Sequence, residues 1–431
     1  MQGSCAESSA ESSAGSSAES WRNSVLAGLA NYMDGGSIVA GSAALSLWVE
    51  RYHLSDQFVG LIGAFSANAI SAGVGALLGG RLCDKFGRKK IYQFDMLFYA
   101  FGMTWLTFAM APWMIVVGFI LVGLAVGADI PASWSLIAEN APGGQRGKHS
   151  GVAQVLWYLG PVVVLLLFLL MANLGLLGAR LVFAHLAILG LLLTVARSKM
   201  KESIVWESAV TAQQTVAAPQ RPRYRDLLAS RNLKSIAFLV GMYGLWNLWA
   251  GTNGFFFPYI LRTVGAQTQA ASVALQAGAF VVAMLSIGLL FMPLSDRVNQ
   301  RTLFITSAVI QVVGMALLAV LPLSTGVAIA YMFLTQFGGG FGAQSFFQLW
   351  SAELFPTLLR ASAQGLCFAV VRVSLGLWSL FVPVLTTTDF KTLAWILTGF
   401  LAASGIVGVL WAPRNEGKAL DQIQKERLAA P

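Results

Sequence analysis

Apolar stretches recur along the chain, broken by short polar turns, and each is long enough to cross a bilayer as a helix of about 20 residues. The pattern predicts twelve helices. Six run over 23–48, 57–81, 90–111, 113–139, 150–173 and 176–196; six more run over 234–262, 268–294, 301–322, 326–353, 361–386 and 391–412. The expected fold is an all-α integral membrane protein of two six-helix bundles, 23–196 and 234–412, joined by a cytoplasmic linker over 197–233. The opening segment is rich in Ser, Ala and Glu and poor in large apolar side chains, so residues 1–22 are expected to form a disordered cytoplasmic tail. It lacks a basic region followed by an apolar core, so it does not read as a signal peptide. Residues 413–431 form a second cytoplasmic tail.

Composition agrees with a membrane setting. Only 11% of the 431 residues are charged and 56% are hydrophobic, against about a quarter charged in soluble domains. The net charge of +9 raises nucleic acid as a partner, but its distribution argues otherwise. With the N-terminus inside, 23 of the 28 Lys and Arg residues fall on cytoplasmic segments. Outer loops hold Arg51, Arg180, Arg262 and Lys391, and Arg372 lies within a span. This asymmetry orients both termini to the cytoplasm of a multi-pass inner-membrane protein and excludes a nucleic-acid role. The three cysteines, Cys5, Cys83 and Cys367, show no metal spacing. No nucleophile–base pair, metal-ligand set or nucleotide-binding motif appears, so neither an enzyme nor a nucleotide-driven pump is expected.

The two halves repeat. "GGRLCDKFGRKK" (79–90) ends the second helix, and "MPLSDRVNQR" (292–301) ends the eighth, placing Asp84 and Asp296 212 residues apart. "AENAPGGQRG" (138–147) follows the fourth helix and "AELFPTLLRA" (352–361) the tenth; Glu139, Pro142 and Arg146 recur as Glu353, Pro356 and Arg360 at an offset of 214. Duplicated six-helix units are a transporter signature, with the substrate site between the halves. Gly80, Asp84, Gly87, Arg88 and Lys89 resemble the loop signature of the major facilitator superfamily. The two Glu/Pro/Arg segments, "KESIVWE" (201–207) and "PRNEGKALDQI" (413–423) resemble signatures of its sugar porter family, and "NYMDGGSIVAG" (31–41) resembles bacterial inositol-type members.

The charged helix ends, Asp84, Arg88, Glu139, Arg146, Asp296, Arg297, Glu353 and Arg360, read as a cytoplasmic gate. Glu139 is taken with Arg146 and Glu353 with Arg360; the aspartates would cap helix ends and pair with neighbouring arginines. The alternative is orientation by positive charge alone. Charge at mid-bilayer is costly and functional by default, and three such residues stand out within the predicted spans: Asp34, Asp129 and Arg372. Asp34 and Asp129 are candidate proton carriers, and Asp129 with Arg372 is the expected network; a static ion pair and a solvated position remain open. Asp34 matches the family's first-helix aspartate, but the fourth-helix arginine that would partner it is replaced by Phe119.

For substrate, the resemblance implies ligand contact by Gln154, Asn247 and Asn253, with Leu248 standing where a third amide would be. Gln344 and Gln348 are four apart on one helix face, and Gln348 stands where the family has a tryptophan. Trp246, Trp249 and Phe347 could wall the site or simply pack. Inward amides suit a neutral polyhydroxylated ligand, since an amide both donates and accepts. The reading is a monomeric secondary transporter in membrane lipid that moves a sugar or polyol, such as a monosaccharide or inositol, by alternating access. It needs no cofactor beyond a coupling proton in symport. The alternatives are a sugar-acid or organic-anion porter using Arg372 and a transporter-like nutrient sensor.

Overall fold

A computed structural model of the chain describes residues 2–142, 144–198, 200, 202–215, 224–265, 267–413, 415, 418, 422–423 and 426. Among these no strand occurs. The helices are α1 (Gln2–Tyr52), α2 (Asp56–Ala64), α3 (Ile70–Phe86), α4 (Arg88–Thr107), α5 (Pro112–Asn140), α6 (Arg146–Leu170), α7 (Leu176–Ser198) and α8 (Ile204–Thr215). They continue as α9 (Ser230–Thr263), α10 (Gln269–Ser286), α11 (Met292–Leu294), α12 (Gln300–Val320), α13 (Thr325–Gly340), α14 (Ala343–Glu353), α15 (Arg360–Ser379), α16 (Val382–Thr388) and α17 (Phe390–Trp411). A π turn over Ile287–Phe291 carries α10 into α11.

These resolve into twelve crossings. The pairs α2/α3, α13/α14 and α15/α16 are each one crossing interrupted by a few non-helical residues, α10 and α11 form another, and α8 lies in the connection between the halves. Seven crossings, the interrupted α15/α16 among them, are long and apolar enough to span on length and composition alone. The others fall short for visible reasons: α2/α3 and α13/α14 are broken, α4 opens on Arg88, Lys89 and Lys90, and polar and glycine positions dilute α1 and α9. An even number of crossings brings both termini to one face, called here the terminal face. Large apolar side chains such as Leu78, Phe94, Leu170, Leu289 and Trp395 are exposed on the outside, as expected of a lipid-facing shell.

The halves meet most extensively along two helix pairs, α3 on α15 and α6 on α10, with α1 also packing on α9 and α5 on α15. The internal repeat carries α3 onto α10 and α6 onto α15, so one pseudo-twofold operation generates both contacts. Glycine permits the close approach. A Cβ on Gly80 would lie 2.3 Å from the Ala361 carbonyl oxygen, and one on Gly365 would lie 2.2 Å from that of Ala76. Small residues at such crossings let backbones touch, which supplies the dispersion contact that drives helix association in lipid.

Several expectations change. The segment expected as a disordered tail over 1–22 is helical from Gln2 and continuous with the first crossing; alanine and glutamate are strong helix formers, and the adjoining helix removes the cost of nucleation. Arg197, assigned to the linker, belongs to the last turn of α7. The second, tenth and eleventh helices are broken, and the second runs to Phe86, so Asp84 sits in its last turns. Of the expected linker, residues 199, 201 and 216–223 lie outside the described residues, as do most of 413–431, Met1 and the Gly143 of the first Glu/Pro/Arg segment.

Gly365→Ala is expected to destabilise the protein by about 1–3 kcal/mol, the usual cost of overpacking. Gly278→Ala, whose Cβ would meet nothing within 4 Å, is expected to be neutral or slightly stabilising through helix propensity. Thermal unfolding in detergent distinguishes the two.

Candidate functional site

At the terminal face Glu139, Arg146, Glu353 and Arg360 are buried, Asp84 and Asp296 are partly buried, and each of the six reaches across to the other half. Arg360, the first residue of α15, donates from Nη1 to Glu139 Oε1 at 2.7 Å. Arg146, the first residue of α6, donates from Nη2 to Glu353 Oε1 at 2.8 Å. Asp84 Oδ2 accepts from the Ser362 backbone N–H at 2.7 Å, while Asp296 accepts from the N–H groups of Gly147 at 3.0 Å and Lys148 at 3.3 Å. Both aspartates therefore sit on the positive N-terminal ends of helices in the opposite half. The four contacts form two symmetric sets. Glu139–Arg360 maps onto Glu353–Arg146 at the offset of 214, and the same offset carries Lys148 onto Ser362.

The expected pairings within each half, Glu139 with Arg146 and Glu353 with Arg360, are thus replaced by crosswise ones. The cause is packing: α6, seated on α1, also lies against α10 and α11, so Gly147 in its first turn meets Ser295 and Asp296 of the other half. Arg88 completes the cluster, donating to Glu139 Oε1 at 2.8 Å and lying 3.5 Å from Asp84. Arg297 is exposed and joins no ion pair among the described residues. Burial raises the Asp296 carboxyl above its ordinary range, opposed by the two N–H donors and by Arg146 and Lys148.

The connection between the halves closes over this cluster. Glu202 accepts from the N–H groups of Arg88 (3.0 Å) and Lys89 (3.1 Å), capping α4. Ser203 Oγ donates to Glu139 Oε2 at 2.5 Å, and the Trp206 indole lies over Arg88 and donates to the Asp84 carbonyl. Asn415 donates to the second oxygen of Glu353 at 3.0 Å. These residues fall in the segments "KESIVWE" and "PRNEGKALDQI", which sequence comparison singled out without assigning them a contact.

In the middle of the molecule, Gln154 on α6 donates to Gln348 on α14. The remaining amide atoms, Gln154 Oε1 and Gln348 Nε2, are buried and have no hydrogen-bond partner. Asp34 accepts from the Trp157 indole at 2.7 Å. Arg372 donates to the side-chain and backbone oxygens of Asn68, in the break between α2 and α3, and to Asn247 Oδ1 at 3.4 Å, with its guanidinium 4.3 Å from the Phe368 ring centre. Arg372 and Asp34 lie within electrostatic reach of each other, and Tyr243 is within reach of both. Sequence reasoning missed Asn68, Trp157 and Asn31, which bonds the Ala153 carbonyl at 3.2 Å; polar residues inside apolar runs were the available signal.

Other expected members turn elsewhere. Trp246 donates to Gln311 on α12 at 2.7 Å, inside the C-terminal half. Asn253 accepts from Tyr331 and Gln344 from Tyr243, each at 2.8 Å. Phe119 is packed among Trp48 and Phe255, leaving this part of the fourth crossing apolar. Asp129 has no contact with Arg372. It pairs with Arg197 at 2.7 Å within the N-terminal half, because the last turn of α7 points inward.

A family model described as Major Facilitator Superfamily matches residues 24–365. The chain is 48% identical over 417 residues to the minor myo-inositol transporter IolF of Bacillus subtilis, covering 95% of this chain and 94% of that one. It is 25% identical to the putative metabolite transport protein YaaU of Escherichia coli, covering 91% of each. Its fold is similar to that of the proton:xylose symporter XylE, with a TM-score of 0.72 at 18% identity, covering 95% of this chain and 98% of that structure.

Removing one member of a buried ion pair costs about 3–5 kcal/mol, whereas replacing both by apolar residues of similar volume is often neutral. Arg146→Met and Glu353→Leu are each expected to lower thermal stability, and the double variant is expected to recover most of the loss. A double-mutant cycle read by thermal unfolding measures this coupling.

Proposed function

The chain belongs to the Major Facilitator Superfamily, and from that premise we propose that it carries a cyclic polyol of the myo-inositol kind across the cytoplasmic membrane by proton symport. The observation that carries this reading is the Gln154–Gln348 pair. It spans the two halves and holds one unpartnered acceptor, Gln154 Oε1, and one unpartnered donor, Gln348 Nε2. A hydroxyl could donate to Gln154 Oε1 and accept from Gln348 Nε2, and the vicinal hydroxyls of a polyol would continue the chain to Asn247. A buried polar pair left half satisfied is costly, so a ligand that completes it gains that energy as affinity and selectivity. An amide at 348 in place of a flat aromatic surface favours a ligand with hydroxyls on both faces. The similarity to a myo-inositol transporter supports the same substrate class.

The crosswise contacts are read as the gate. They hold the terminal face shut and must break when that face opens. The distribution of Lys and Arg supports a cytoplasmic assignment for this face. For coupling, Asp34 is proposed as the carboxylate that senses ligand, through Trp157 on the helix that bears Gln154. The similarity of fold to a proton-coupled symporter is consistent with this role.

A second reading has one observation in its favour. Arg372 Nε is buried without a partner and could hold the carboxylate of a sugar acid. Counterflow in proteoliposomes decides between the two. Myo-inositol is expected to exchange, and Gln154→Ala and Gln348→Ala are each expected to raise its half-saturating concentration by about tenfold, the loss of one or two hydrogen bonds. Exchange of uronates or small carboxylates, with glucose, xylose and inositol all inert, would overturn the polyol reading in favour of the acid one.

A further inference from the structure

One group of charges in the N-terminal half belongs neither to the gate nor to the amide site. Asp95 on α4, Asp129 on α5 and Arg197 on α7 are all buried, with 6% or less of each exposed. Arg197 Nη1 bonds Asp129 Oδ1 at 2.7 Å and stands 3.8 Å from Asp95 Oδ2. Ser133 donates to Asp129 Oδ2 at 3.0 Å. Asp95 accepts from the adjacent Met96 N–H at 2.6 Å, while its second oxygen, Oδ2, is buried with no hydrogen-bond partner. The two carboxyl groups are within hydrogen-bonding reach of each other. Facing the cluster from other helices are the Cys83 thiol on α3 and, at longer range, Asp34 on α1.

The charge does not balance if both carboxyls are ionised. Two carboxylates against one guanidinium leave a net negative charge in a water-poor interior, where an uncompensated ion is expensive. A proton on Asp95 Oδ2, donated to Asp129, satisfies the unpartnered oxygen and neutralises the group in one step. Arg197 also ties this site to α1: it donates from Nε to the Leu26 carbonyl at 3.2 Å and from Nη2 to the Ala27 carbonyl at 2.9 Å. Asn31 and Asp34 stand one and two turns further along that helix.

We propose that Asp95 and Asp129 together hold the coupled proton, and that Arg197 transmits its presence to α1. With the proton bound, the guanidinium is shared between Asp129 and the α1 carbonyls. When the proton leaves to water, the O–H bond of Asp95 breaks, its electron pair stays on the carboxylate, and the new negative charge draws Arg197 from α1 toward Asp95. The helix that carries Asn31 and Asp34 then loses two anchors. Proton and substrate are thereby coupled through α1 without sharing a site. This inference rests on the proton-symport reading and adds Asp95 and Arg197 to it.

The test uses full-length protein in proteoliposomes with myo-inositol. An imposed gradient of about one pH unit is expected to drive wild-type accumulation by about tenfold for one proton per substrate. Asp95→Asn, nearly isosteric, is expected to keep counterflow but to equilibrate without accumulation, and Asp129→Asn is expected to do the same. If both variants accumulate like wild type while Asp34→Asn alone fails, the proposal is overturned. If a sodium gradient drives wild-type accumulation and a proton gradient does not, it is overturned as well. If wild type shows no gradient-driven accumulation at all, the symport reading fails separately. Infrared spectra of the purified protein in H2O and D2O then decide the site: a protonated carboxyl band that Asp95→Asn removes supports the shared proton, and its absence from wild type refutes it.

Discussion

Charge shared across the midline between the two halves is the constraint on which the rest of the molecule depends. Glu139 is neutralised by Arg360 and Glu353 by Arg146, each partner coming from the opposite half. Asp84 and Asp296 likewise cap helices that are not their own. Separating the halves at this face therefore exposes two acids and two bases at once. Water rehydrates them as the face opens, so the cost is moderate and reversible, unlike that of tearing an apolar core. The pairs suit a contact that must both hold and release.

The other elements follow from this geometry. The close approach of α3 to α15 sets the distance over which Asp84 can reach Ser362, and α6 on α10 does the same for Asp296 and Gly147. The residues after α7 then cap the N-terminal end of α4 and bind the second oxygen of Glu139. Deeper in, the two halves meet through neutral amides instead of ions. That difference matters for a transporter: ions make a switchable closure, whereas amides exchange partners with hydroxyl ligands at little cost.

The fold was largely legible in the sequence because its signals are strong and local. Spans follow from apolar length and the duplication from Glu139/Arg146 recurring as Glu353/Arg360. The partners of those residues were not legible. A repeat identifies equivalent positions but not whether a side chain meets its own half or the other, and here α6 and α15 both turn across. Breaks were missed where Asn68 and Gly342 interrupt otherwise apolar runs, since a short unwinding leaves the hydropathy pattern intact. Arg197 was read as linker because a basic residue at a helix end ordinarily marks the membrane edge; its burial depends on Asp95 and Asp129, two acids distant in sequence. For Trp246 the sequence leaves a site wall and simple packing both open, because the rotation of α9 that directs it to Gln311 is set by tertiary packing.

The central claim is that the crosswise ion pairs hold the terminal face closed. It is tested most directly by electron-spin distance measurement between labels at Gln145 and Arg297, exposed positions on opposite halves, in a background without Cys5, Cys83 and Cys367. The account predicts that Glu353→Gln shifts the population from short to long separations. A distance distribution unchanged by that substitution would contradict it, leaving the pairs as static anchors with no part in the opening of the molecule.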